Sequence, residues 1–279
     1  MRMRATAVAA TGALALGALA VPAAHATEGG PYALDVTFSN TKINGGSTVA
    51  VGTTTPKKAA VTFTLKHGAD VDIHASDFVV GVDLYRGASL DERTSTLESA
   101  EAACTDSATA PATVATCTAT VTVDPADLRN ADAGVWKTGL HAVAYNGQDR
   151  NDPRDPGRIG VAQRDSAKDF ALQRFAKLTA NASPEPVRKG RTITVTGLLS
   201  RASWDDGKYH GFSSSVYVKL EYRKKSETSY TPVQSTNAGT GGRVETTTTA
   251  TADGSYRFTY LGNWITPLVS SPGDYVDVQ

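Results

Sequence analysis

The chain has 279 residues with 28 basic and 28 acidic side chains, so its formal charge is zero and the broad positive field of a nucleic-acid binder is missing. Apolar residues make up 40% and charged residues 20%, a balance that excludes global disorder. At ~150 residues per domain, the length predicts two domains.

The first 26 residues read as a secretory leader. Arg2 and Arg4 form a positive n-region, Ala5 to Ala20 an apolar run, and Ala24-His25-Ala26 a small-x-small cleavage site. Pro22 breaks the run, which argues against a membrane span. The expectation is a secreted, extracellular protein with no membrane insertion after cleavage. In an oxidising space Cys104 and Cys117, the only cysteines, are expected to bridge as a staple across a hairpin loop.

Beyond the leader, apolar residues alternate with period two, the signature of half-buried strands. Leu34, Val36 and Phe38 share one face of a first strand; Val61, Phe63 and Leu65 share one face of the next. Val71 and Ile73 alternate with Asp70, Asp72 and His74, which predicts another strand. TCTATVTV leads into Asp124-Pro125, an N-cap followed by proline at the first helical position, and so into one short helix or turn. GLHAVAY returns to strand. The stretch 146–158 is a turn-forming loop, and 161–175 reads as a loop leading to an edge strand that closes a domain spanning 27–175.

From 176 to 279 seven short strands follow at regular spacing, with turn residues between them. Seven strands in ~100 residues is the count of an immunoglobulin-like sandwich. The inward faces are Ile193, Val195 and Gly197, then Val216, Val218, Leu220 and Tyr222, then Tyr256, Phe258 and Tyr260. The fold class expected is all-β, with two tandem β-sandwich (Ig-like) domains.

ASPEPVRKGRTITVTGLLSRASW (182–204) and TATADGSYRFTYLGN (249–263) resemble the Ig-like modules of bacterial secreted and cell-surface proteins. The whole layout is similar to a family of small, exported, two-domain actinobacterial proteins of uncharacterised function. Some of these carry a calcium-binding label. The resemblance implies fold and export; its motifs imply no chemistry.

Enzyme templates fail. HExxH, GxSxG, GxGxxG and GxxxxGK[ST] do not occur, and two bridged cysteines leave no thiolate nucleophile, so a non-catalytic role is expected. A glycosidase-type carboxylate pair stays open, as does a protease inhibitor presenting the disulfide-closed loop. For Ca²⁺, Asp70, Asp72 and Asp77 form a candidate site, on the premise that alternation puts Asp70 and Asp72 on one strand face. The 146–158 loop is a weaker candidate, since the twelfth position from Asp149 is Gly160 rather than Glu. For an organic ligand, Trp204, Asp205, Asp206 and Tyr209 lie in one inter-strand loop and Trp264 near another. Aromatics beside carboxylates suit a cell-wall glycan or a surface protein; the same indoles also suit packing at the end of a sandwich.

Overall fold

The computed structural model describes residues 29–108, 113–213 and 215–279; the expected leader lies outside them. Among the described residues the chain is strands, turns and short 3-10 segments, with no α-helix. It divides into two compact units. One holds residues up to Lys42, Ala60–Val121 and Lys137–Lys168; the other holds Ile43–Ala59, Thr122–Trp136 and Asp169–Gln279. The division is therefore interleaved along the chain, where the strand pattern places a single boundary near residue 176.

The first unit is built on two sheets. One runs in the order Tyr32–Ala33, Gly160–Arg174, Gly134–Ala144, Phe78–Gly87, Arg93–Glu98; the other runs Val36–Ile43, Lys57–His67, Val114–Val123, Ala103–Asp106. The alternation does its expected work. Ala59, Val61, Phe63 and Leu65 are buried along one strand, and Ala115, Cys117, Ala119, Val121 and Val123 along its neighbour. Fully burying a Val, Leu or Phe side chain is worth ~1.5–3 kcal/mol, so these single faces hold the sheets in register. Ser99 bridges to Val121 and ties the two sheets at one edge. Cys104 and Cys117 sit directly opposite in the Ala103–Asp106/Val114–Val123 hairpin, with Cα atoms 4.0 Å apart, and form the expected disulfide.

Two expectations are corrected. The segment around Val71 and Ile73 is a run of turns, not a strand, because Asp72 accepts the backbone N–H of His74 and the Val71 N–H returns to Gly68. The segment 161–175 is a long strand, Gly160–Arg174, not a loop. Its polar middle hides the alternation; pairing with Tyr32–Ala33 at one end and Val49–Val51 at the other supplies what the pattern lacks. The short helix or turn expected after Asp124 is found as a 3-10 turn, Pro125–Asp127, capped by the Asp124 side chain on the Ala126 N–H, and a second such turn, Asn130–Asp132, follows it.

In the second unit the seven strands appear. The first, second and fifth (Asn181–Ser183, Thr192–Ser203, Arg243–Thr249) pair in one set. The third, fourth, sixth and seventh (Val216–Lys224, Thr231–Ala238, Gly254–Tyr260, Asp274–Val276) pair in another, in the order seventh, sixth, third, fourth. The fourth and fifth join the two sets into one continuous hydrogen-bonded sheet. With the two sets as facing layers, this is the immunoglobulin-type order with the fourth strand beside the third. The fourth and fifth strands share only the pair Ala238–Val244; beyond it, Gln234 Nε2 donates to the Thr247 carbonyl at 2.8 Å. Ile193, Val195, Leu199, Val218, Leu220 and Phe258 form the core, and Phe212 meets Tyr260 edge-on at 5.4 Å. Gly197, Val216 and Tyr222, expected inside, are half-buried. Burial pushes the Tyr256 hydroxyl up to about 12.

The turn Thr240–Gly242 stacks on the strand Lys208–Gly211, which has no parallel in the seven-strand count. A Cβ on Gly211 would fall 1.8 Å from the Gly241 carbonyl oxygen. Backbone cannot swing aside as a side chain can. Gly211→Ala is therefore expected to cost about 3 kcal/mol, the upper end of overpacking, read as a lower urea midpoint at unchanged slope.

Candidate functional site

All of the aromatic candidates belong to the second unit. The strand Thr192–Ser203 delivers Trp204 into a turn that returns as Lys208–Gly211. Trp204 is buried at 6% exposure. Its indole N–H donates to the Gly52 carbonyl at 2.9 Å, and its backbone N–H donates to Asn130 Oδ1 at 2.9 Å. A buried indole with its one donor satisfied is a packing residue.

Its acidic neighbours are engaged too. Asp205 accepts from the Asn130 backbone N–H at 3.0 Å and from Asn130 Nδ2 at 2.5 Å. Asp206 lies 2.7 Å from His210 Nε2 and accepts the Lys208 N–H at 3.2 Å. Hydrogen bonds from Ser203 and His210 hold the Asp206 carboxyl below the usual carboxylate range. Tyr209 is half-buried; the Lys177 ammonium sits 3.8 Å from its ring centre, and burial raises its hydroxyl. Thus Trp204, Asp205, Asp206 and Tyr209 lie in one hairpin, but each is engaged within the protein: Asn130 ties Trp204 and Asp205, His210 and the Lys208 N–H hold Asp206, and Lys177 covers Tyr209. No sequence signal marks Asn130, which lies 75 residues before Asp205.

Trp264 stands apart from that cluster and is 73% exposed. The loop that carries it is held firmly from below. Asn263 and Thr266 exchange backbone hydrogen bonds, and the Ile265 N–H donates to Asn263 Oδ1 at 3.0 Å. Gln173 Nε2 donates to the Asn263 carbonyl at 2.7 Å, the Arg174 N–H to the Ile265 carbonyl at 3.0 Å, and Arg201 to the Thr266 hydroxyl at 3.3 Å. Burial, and then the Arg201 charge, draw the Arg174 guanidinium down to about 10. Leu261 and Leu268 bracket the loop and are also well exposed. The result is an indole between two leucines on a pinned loop, with its pins at Gln173, Arg174 and Arg201 unforeseen from sequence.

The acidic candidates lie in the first unit. Asp70, Asp72 and Asp77 line one cavity of about 250 Å³ together with Asp35. The Asp72 carboxylate is taken by the His74 N–H, and Asp77 Oδ2 accepts the Gly147 N–H at 2.5 Å. Among the described residues, no group of three or more His, Cys, Asp or Glu side chains is placed to hold a metal ion. The expected Ca²⁺ triad is not assembled. Turns replace the strand that would have aligned Asp70 with Asp72, and backbone amides occupy two of the three carboxylates. In the 146–158 loop the acids likewise serve turns: Asp149 accepts the Asn151 N–H and Asp155 the Gly157 N–H.

No protein-family model and no curated protein matches this chain. Among solved structures it is similar to the mouse nectin-like molecule 4 ectodomain (Ig1–Ig3), at 12% identity over 89% of this chain and 65% of that one, with a TM-score of 0.23. It is also similar to a C-terminal fragment of the major pilin of Streptococcus agalactiae, at 8% identity over 86% and 91% of the two chains, with a TM-score of 0.22. The class of the protein rests on its own strand order: an all-β protein built from sandwich sheets, with an immunoglobulin-type second unit.

Proposed function

We propose that this chain is a secreted, non-catalytic binding module of the cell surface or cell wall, and that the Trp264 loop is its contact. Trp264 carries the reading: a large apolar side chain left in water on a backbone that cannot collapse over it loses burial energy with no structural return. A pinned loop also binds without a large ordering cost. The flanking leucines favour an apolar protein surface as the partner. A glycan is the second reading; it keeps the flat indole but lacks Asp205 and Asp206, which are already hydrogen-bonded. The disulfide supports an oxidising, extracellular setting.

Trp136 and Trp204 are buried at 1% and 6%, so acrylamide quenching of indole fluorescence reads Trp264. Adding isolated cell envelopes is expected to shield that signal, and Trp264→Ala is expected to abolish envelope retention. Envelopes stripped by protease are expected to lose the effect; if they keep it, the partner is glycan. Retention of Trp264→Ala at the wild-type level would overturn the assignment of the contact.

A further inference from the structure

A cavity of about 240 Å³ opens in the first unit beside the strands Phe78–Gly87 and Arg93–Glu98. Its most distinctive feature is a histidine–carboxylate pair. Gly81 and His141 face each other in register on adjacent antiparallel strands, with Asp83 opposite Gly139. His141 lies over Gly81 so closely that a Cβ there would fall 2.2 Å from Nε2 and 2.4 Å from Cε1. Its Nδ1 meets Asp83 Oδ2 at 3.2 Å, with both side chains largely sheltered. A carboxylate at Nδ1 fixes the imidazole with its proton on that side, so neutral His141 presents Nε2 as a lone-pair acceptor. No hydrogen-bond partner is found for Nε2 among the described residues.

The other groups in the wall share that character. Asp91 and Glu98 line the cavity, and neither is ion-paired among the described residues. Glu101 is held by Arg150 at 2.7 Å, and the one cation in the wall, Arg93, is turned onto the Leu90 carbonyl at 2.5 Å. Four carboxylates and one guanidinium leave the wall negative. On the same face as His141 and Asp83, the buried side chain of Leu90 packs over Gly139, and Val79 lines the cavity beyond Gly81. The cavity thus combines an apolar side chain, an imidazole nitrogen without a partner and unpaired negative charge.

We propose that this cavity binds a protonated primary amine on an alkyl stem, such as a lysyl side chain, with the ammonium donating to His141 Nε2 and Glu98 and the stem lying on Leu90. An ammonium offers three donors and no acceptor, which matches a wall of acceptors. Asp83 is a positioning residue, since it acts through the imidazole.

The test titrates n-butylamine into the mature protein and follows the His141 ring signals by NMR, with calorimetry in parallel. The expected result is a saturable response, weakened at least tenfold by Glu98→Gln and lost in His141→Gln. Melting temperatures check that each variant is folded; Glu98 is exposed, so its variant stays informative if the His141 variant does not fold. Tetramethylammonium carries the charge without a donor and is expected to give no saturation. Non-saturating shifts, an equal response to tetramethylammonium, or a response to Zn²⁺ with none to the amine would each overturn the proposal. None of these outcomes depends on Trp264.

Discussion

Replacing Trp204 by alanine is expected to cost about 3–5 kcal/mol of stability, the range for emptying a buried Trp or Phe site. Two terms add. The indole leaves a void where it was 94% hidden, its exposure being 6%, and the Gly52 carbonyl loses the N–H that satisfies it at 2.9 Å. The matched change Trp264→Ala is expected to stay within about 0.5 kcal/mol of wild type, as for surface positions without special contacts. Urea denaturation of both variants measures the contrast directly. Equal losses would mean that Trp264 packs as Trp204 does, and would remove the reason to regard it as a contact.

Opening the disulfide ranks next. Cys104 and Cys117 are 13 residues apart, and a cross-link of that span removes loop-closure entropy worth ~3 kcal/mol in the chain-entropy model. The hairpin it closes is poor in large side chains: along Ala103–Asp106, both alanine and aspartate point outward and no residue is fully buried. Cys117 itself is fully buried, so a Cys104→Ala/Cys117→Ala double variant loses packing at that position as well. The expected result is a loss of ~3 kcal/mol of unfolding free energy in wild type under strong reductant, and a larger loss in the double variant, both read by urea denaturation. A stability unchanged by reduction would show that strand pairing alone holds this edge.

Period-two alternation predicted Lys57–His67 and Val114–Val123 because each buries one face and wets the other; in the second unit it marked the seven strands although Thr231–Ala238 is mostly exposed and Gly254–Tyr260 buried on both faces. It missed Gly160–Arg174 because the middle of that strand is exposed and charged, so no face is marked. It misread Val71 and Ile73 because four alternating residues look alike in a strand and in a chain of turns; the Asp72 bond to the His74 amide decides between them. The loop aromatics were legible as a set, but not their separate fates. Trp204 is buried by Gly52 and Asn130, residues 152 and 74 positions away, and no local pattern encodes such contacts. For the acidic candidates, spacing shows which carboxylates are near in sequence, but not the turns beneath them: Asp70, Asp72 and Asp77 share a cavity wall, while backbone amides bond to Asp72 and Asp77.

The seam between Thr231–Ala238 and Arg243–Thr249 has a consequence at high protein concentration. Two unzipped strand margins are an invitation to lateral self-assembly, in which a second molecule adds its own strand. Here Pro232 withholds a donor on one margin, while Gln234 and Thr236 lay their side chains across the Thr247 and Glu245 carbonyls of the other. Gln234→Val would bare the Thr247 carbonyl and raise β-propensity at the same stroke, turning a guarded hem into a template for fibrils.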